Sequence, residues 1–322
     1  MHNPIRRGLA LAAALTTALA LSACGGSEDP LADPTADEDA PMAEDPTDGD
    51  EAGAGDDPGA IVVGSQAYYS NEIIAEIYAQ ALEADGFEVE RQFSIGQRDA
   101  YMPEIESGAI TIFPEYTGNF LQYFDAETEA RSPEDVYAEL SGALPDGLVV
   151  LDQAEATDQD SYTVTREFAE EHGLTSIADL ADLADLDVDL VLGGPPELVE
   201  RPYGPTGLEE TYGVTVDFSA TGDTTVEDLI AGTVNLGNVY TADPRIETED
   251  LVVLEDPESL FLASNVVPVV NESVADAIAP TINAVSAQLT PEVLVSLNVE
   301  STVDQRSSGD IAADWLAENG LI

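Results

Sequence analysis

The sequence predicts an α/β protein with parallel strands, folded either as two similar lobes or as one large domain. Three observations support this. About 263 residues run from Ala60 to the end of the chain, enough for two compact lobes. Strand-like and helix-like stretches alternate there, and strand–helix–strand connections pair strands in parallel through right-handed crossovers. The helix-then-strand pattern begins again near 163, and the chain changes character once more after Phe261.

Taken in order, "AIVVGS" (60–65) reads as a buried strand. "NEIIAEIYAQALEADG" (71–86) is a helix with Ile73, Ile74, Ile77 and Ala81 on one face and a stop at Gly86. "FEVERQFSI" (87–95) alternates like a half-buried strand, "RDAYMPEIESG" (98–108) is a short helix, and "AITIF" (109–113) is a strand. In the second block, "TREFAEEHG" (165–173) and "SIADLADLADL" (176–186) read as helical and "DVDLVLGG" (187–194) as a strand. "TVEDLIAG" and "TVNLGNVY" (225–240) repeat helix then strand. "ASNVVPVV" (263–270) is a strand interrupted by Pro268, and three helical stretches follow it. One reading has the chain cross to a second lobe near 163 and return near 262. Residues 60–162 and 262–322 then form one lobe, and 163–261 the other. Ligands of such sheets gather at strand carboxyl ends. "IFPEYTGNF" (112–120) ends a strand there on Tyr116, beside Thr117 and Gly118.

The chain has 65 acids against 9 basic residues, all arginine, for a net charge of −56. That field repels nucleic acid and anionic membrane alike. A hydrophobic content of 44% argues against a wholly disordered chain and for an acidic, solvated surface. At the start, "MHNPIRRG" and the apolar run after it read as a signal peptide over 1–23. "LSACGG" resembles a bacterial lipobox, which makes Cys24 the lipid-bearing residue and places the protein extracytoplasmic, anchored to the cell membrane. Cys24 is the only cysteine, so no disulfide is available. Residues 24–59 form an acidic linker; from 27 on they hold 13 acids, five prolines and no aromatic, a self-repelling tether. No acid spacing in it matches a calcium loop.

Enzymatic motifs are missing: there is no G-x-S-x-G, H-E-x-x-H, P-loop or complete dinucleotide fingerprint. His172 stands alone on a charged helix as a surface residue. The expectation is a protein that is not an enzyme and uses no cofactor or metal. Tyrosines beside turns stand out instead: Tyr68, Tyr69, Tyr116, Tyr162, Tyr203 and Tyr240. A ring of phenol faces can hold a quaternary ammonium, which has no N–H to donate, through cation–π attraction. Tyr78, Tyr101 and Tyr137 fall in helical patterns and read as packing.

The chain resembles the quaternary-amine family of type II substrate-binding proteins of ABC importers. The matching stretches are "IVVGSQAYYSNEIIAEIYAQALEADGFEVE", "IESGAITIFPEYTG", "DSYTVTREFAEEHGLTSIADL", "LGGPPELVERPYGPTGLEETYGV", "GNVYTADPRI" and "NVVPVV…LTPEVLVSLN", in order over 60–320. The resemblance implies the type II periplasmic-binding-protein fold, two α/β lobes with a ligand cleft between them. It implies capture of glycine betaine, choline, carnitine or a related osmoprotectant for membrane permease subunits, by a chain that is monomeric when free of the transporter. By resemblance Tyr116, Tyr162 and Tyr240 are cage tyrosines, with Thr117 near them. Asp160 faces the cation and Arg201 grips a betaine carboxylate. An arginine fork suits that carboxylate geometry.

Two departures stand out. Gln66 occupies a place where the family often has lysine, and "GDTTVEDL" lacks a further family tyrosine. Tyr68, Tyr69 or Tyr203 then completes the cage, with Tyr203 preferred. Trp315 reads as core. Alternative functions are a same-fold binder of another small amine or amino-acid-like ligand, and an adhesin or scaffold lipoprotein. Residues 60–322 carry seven arginines and 52 acids, a balance of −45. Salt near 1 M shortens the screening length to about 3 Å. Thermal unfolding followed from dilute buffer to about 1 M potassium chloride is therefore expected to show a rising Tm; a flat or falling Tm contradicts dominant self-repulsion.

Overall fold

A computed structural model of the chain describes residues 60–96, 98–186 and 188–322. The signal peptide, Cys24 and the acidic linker expected over 1–59 lie outside the described residues.

The first lobe begins with β1 (Ile61–Gln66), α1 (Tyr69–Ala84), β2 (Val89–Ile95), α2 (Arg98–Glu106) and β3 (Ile112–Tyr116). It continues through α3 (Thr117–Phe124), α4 (Pro133–Ala143) and β4 (Leu148–Val150). The second lobe holds β5 (Asp160–Thr165), α5 (Arg166–His172), β6 (Val191–Gly194), α6 (Pro205–Tyr212) and β7 (Asp217–Ala220). It ends with α7 (Thr225–Ile230), β8 (Leu236–Tyr240), α8 (Arg245–Thr248) and β9 (Leu251–Val253). The chain then returns through β10 (Val266–Asn271) to α9 (Glu272–Ser286), α10 (Pro291–Thr302) and α11 (Ser308–Glu318).

Each lobe has one five-stranded sheet, ordered β2-β1-β3-β10-β4 in the first and β7-β6-β8-β5-β9 in the second. The two sheets share one plan. Three strands run parallel, and the fourth, β10 or β5, is antiparallel and enters from the other lobe. In both, the last residue of the third parallel strand lies beside the start of that entering strand: Tyr116 opposite Val266, and Tyr240 opposite Asp160. The crossing comes slightly earlier than the sequence reading placed it, because Asp160, Ser161 and Tyr162 already pair with β8.

Two local outcomes differ from expectation for readable reasons. The "ADLADLADL" stretch forms a 3-10 helix over Ile177–Leu186. A 3-10 helix has three residues per turn, so a three-residue repeat keeps one face aligned. Ile177, Leu180 and Leu183 all lie in the core. Pro268 does not interrupt β10; it faces Pro114 of β3. Opposed residues in an antiparallel ladder alternate between exchanging both bonds and exchanging none, and two prolines can face each other only at the second kind of place. The Pro268 carbonyl still accepts from the Leu151 N–H at 3.0 Å, and the Pro114 carbonyl from Asn71 Nδ2 at 2.8 Å.

Strand alternation decides which way the site residues point. On β3, Ile112 and Tyr116 join the core against α1, α9 and α11, whereas Phe113 joins the opposite core. Glu115 also turns to that opposite side, fully buried, where Arg98 holds it at 2.9 Å and the Tyr101 hydroxyl donates to it. Trp315 is part of the α1 core.

Gly118 explains the glycine in "PEYTG". A Cβ there would overlap the Ala263 carbonyl oxygen and come within 2.8 Å of Leu262 Cγ. Helix α3 is thus pressed against the segment that returns from the second lobe. Gly118→Ala is expected to destabilise the fold by about 1–3 kcal/mol, the usual range for overpacking. Urea unfolding reads this directly, and an unchanged midpoint would mean that α3 can move away from the crossing.

Candidate functional site

Three adjoining cavities open around Asn119 at the carboxyl ends of the parallel strands. The first, about 480 Å³, is walled by the first lobe alone, including Gln66, Tyr68, Arg98 and Tyr116. The second, about 420 Å³, lies between the lobes, with Asn119, Gln122 and Arg131 on one side and Arg201, Tyr203 and Tyr240 on the other. Asp158, Gln159 and Asp160 run along its floor. The third, about 270 Å³, joins Tyr68 and Tyr69 to Asp158, Tyr240 and Asp243.

The floor is a clasp between two crossing segments. The Thr117 N–H donates to the Asn265 carbonyl and the Asn265 N–H to Thr117 Oγ1, both at 2.9 Å. Asn265 Nδ2 reaches the Ala154 carbonyl at 2.9 Å, and Thr157 bridges Asn265. From the second lobe, Thr241 Oγ1 meets Thr157 Oγ1 at 2.8 Å. Thr117 is therefore fully buried in this clasp, not at the cleft surface.

The equivalent tyrosines of the two lobes are in different states. Tyr116 is 3% exposed and stacks on Tyr68, with ring centroids 6.3 Å apart, whereas Tyr240 is 58% exposed. The Tyr116 hydroxyl is buried and has no hydrogen-bond partner among the described residues. Tyr162 departs from the cage position that the resemblance assigns it. It shares a face of β5 with Asp160 but lies two residues deeper, in the second core, where it is fully buried, packs on Phe261 and donates to the Tyr203 carbonyl. Tyr203 stands in front of it, lines the cleft, and donates its hydroxyl to Asp160 Oδ2 at 2.9 Å. Gln66 lines the first cavity, its N–H donating to Asn71 Oδ1 at 2.8 Å.

Charge pairing separates the arginines. Arg91, Arg98, Arg166, Arg245 and Arg306 each form a carboxylate ion pair. Arg201 and Arg131 form none among the described residues, and both line the cavity between the lobes. Arg131 donates to the Thr128 and Ala130 carbonyls. In a chain where acids outnumber arginines about sevenfold, Arg131 and Arg201 are the two arginines left without a carboxylate among the described residues. Sequence reasoning found Arg201 through its motif but missed Arg131, whose loop "EARSPED" carries no periodic or motif signal.

Asp158 was also missed. Its carboxyl is pushed up from 3.8 to about 6, first by burial and then by Asp243 and Asp160. Burial likewise raises the Tyr68 and Tyr116 phenols, and Asp160 raises Tyr240, so all three stay neutral near pH 7. Among the described residues, no cluster of three or more His, Cys, Asp or Glu is arranged to hold a metal. Nor is any helix among them long and apolar enough to cross a membrane.

A raised carboxyl favours the fold while it is protonated. The extra stability is present below about 3.8 and lost as pH rises through about 6. Ionising Asp158 in the ligand-free fold then costs of the order of 2–3 kcal/mol. Asp158→Asn is expected to raise the ligand-free Tm at pH 8, with the gain shrinking as pH falls and gone below about 4. Differential scanning calorimetry across that range checks it; a variant less stable than wild type at pH 8 would contradict the burial penalty.

A family model described as the substrate binding domain of ABC-type glycine betaine transport system matches residues 59–318. The glycine betaine-binding protein YehZ of Escherichia coli (strain K12) is 28% identical over 276 residues, 81% of this chain and 90% of that protein. A glycine-betaine-binding protein of Pseudomonas aeruginosa is 27% identical over 281 residues, 81% of this chain and 88% of its own length. The solved structure of apo YehZ from Escherichia coli aligns with a TM-score of 0.74 at 27% identity, over 82% of this chain and 100% of that one. A glycine betaine/carnitine/choline ABC transporter structure shares the fold, with a TM-score of 0.72 at 19% identity over 81% of this chain and 99% of its own.

Proposed function

We propose that this chain, which belongs to the family of substrate-binding domains of ABC-type glycine betaine transport systems, captures glycine betaine or a related quaternary amine between its lobes. The observation that carries the reading is the pair of arginines without carboxylate partners, Arg131 and Arg201, facing one cavity with tyrosines at its edge. A betaine carboxylate accepts from the arginine forks. Its trimethylammonium, which cannot donate a hydrogen bond, lies against phenol faces. Tyr240 comes from the second lobe and Tyr68 and Tyr116 from the first, so bringing the lobes together encloses the cation. Closure also excludes water, which strengthens each contact.

On this reading the protein acts without catalysis, as a monomer, and passes its ligand to the permease subunits of an ABC importer. Cys24, outside the described residues, carries the lipid that holds the protein at the outer face of the membrane, and the acidic linker gives it reach.

Calorimetry with glycine betaine, choline, carnitine and proline betaine tests the reading; no heat and no thermal protection with any of them would overturn it. Tyr240→Ala is the cleaner cage variant, because Tyr116 is so buried that its truncation also costs stability. Tyr240→Ala is expected to weaken binding about 2-fold to 30-fold, from a cation–π contact worth about 0.5–2 kcal/mol, with Tm unchanged. Arg201→Ala is expected to reduce glycine betaine binding steeply and choline binding much less, since choline has no carboxylate. Equal losses for both ligands would place Arg201 in the lobe structure instead of on the ligand.

A further inference from the structure

We propose that Asp158 is the counter-charge for the ligand's ammonium, and that protonating it weakens capture. The inference rests on the quaternary-amine reading above and adds a specificity-determining residue outside the motifs that carry the family resemblance.

Each neighbouring acid already has a side-chain donor, although only Asp243 is paired with a cation. Asp160 accepts the Tyr203 hydroxyl at 2.9 Å. Asp243 binds the Arg245 guanidinium, its closest contact 2.6 Å. The Asp158 side chain has no hydrogen-bond donor and no ion-pair partner among the described residues, although its chain segment is tied down by its own N–H to the Ser264 carbonyl at 3.1 Å. A partly buried carboxylate without a donor is an expensive group to keep. A cation brought by the ligand supplies the missing partner.

Position supports the same assignment. Asp158 lines both the cavity that holds Arg131 and Arg201 and the one that holds Tyr68, Tyr69 and Tyr240. A zwitterion can then place its carboxylate toward the arginines and its ammonium toward Asp158 and the phenols. Asp158 also sits on the crossing segment, which is bonded to Ser264 and leads directly into β5. The counter-charge is therefore in place before the lobes come together.

The titratable and charged groups around Asp158 come from several elements. Asp160 lies on β5, Tyr240 ends β8 with Asp243 and its partner Arg245 just beyond, and Arg131, Arg201 and Tyr203 line the same cavity. Tyr68 and Tyr69 lie at the start of α1, and Tyr116 ends β3. The phenols stay neutral through the range that matters, and the two acids oppose ionisation of Asp158. With its carboxyl held at about 6 in the free protein, Asp158 is mostly protonated at pH 5 and mostly ionised at pH 8. Glycine betaine keeps both its charges throughout that interval, so a change in affinity reports the protein. A cation that binds the ionised form must displace a proton at the acid end.

The test is calorimetric titration of the full chain with glycine betaine from pH 5 to pH 8, repeated at pH 5.5 in two buffers of different ionisation enthalpy. Wild type is expected to bind about tenfold more weakly at pH 5 than at pH 8, with proton release at pH 5.5. Asp158→Asn is expected to bind about tenfold more weakly at pH 8, to lose the pH dependence and to release no proton. Its Tm shows that it is folded. A flat wild-type profile, or a variant that keeps the wild-type slope, overturns the assignment while leaving the ligand reading intact. Absence of binding at every pH overturns both.

Discussion

Asn265 holds the place where the lobes meet. Its backbone exchanges two bonds with Thr117 at the start of α3, and its side chain reaches the Ala154 carbonyl on the other crossing segment. These are short polar contacts in a buried setting, where an unmatched group is costly. They fix the ends of β3 and β10 relative to the segment that becomes β5. Tyr116 and Asp158 on either side are therefore positioned by one clasp. The floor of the cleft is common to both lobes.

The acidity of the chain acts on the site as well as on the surface. In most proteins an arginine in a cleft without an acid beside it would be unremarked. Here carboxylates are so abundant that two arginines without an ion pair among the described residues stand out, although Asp158 and Asp160 line the same cavity. Asp158 shows the reverse: a carboxylate left without a donor in a chain that has few donors to give. The two imbalances lie across one cavity and have opposite sign, the charge pattern of a zwitterion.

Much of the fold was legible because periodicity reports it. The strands at 61–66, 89–95 and 236–240 and the helix at 69–84 fall close to where their apolar patterns put them, while the strand read at 109–113 lies at 112–116. The family resemblance extended this to two lobes and a cleft. Periodicity also misled at 176–186, where the leucine repeat fits three residues per turn better than 3.6. In the site, motifs located Arg201 and Tyr240, but they could not say that Tyr162 points inward or that Thr117 is spent on Asn265. Those facts depend on how deep Tyr162 sits along β5 behind Tyr203 and on a partner 148 residues away. Arg131 and Asp158 carry no local pattern; only the assembled cleft brings them together.

The placement of β10 also orders the birth of the molecule. The second lobe's strands all lie between Asp160 and Val253, so that lobe can pair its sheet as soon as this stretch leaves the ribosome or the export channel. The first lobe cannot. Its sheet has β10 in the interior, between β3 and β4, and β10 begins only at Val266. Helices α9 and α11, which cover one face of that sheet, come later still. Closing contacts over so long a stretch of chain is slow. The first lobe, though it starts first, finishes last, and most of the chain passes any exit before its sheet can close.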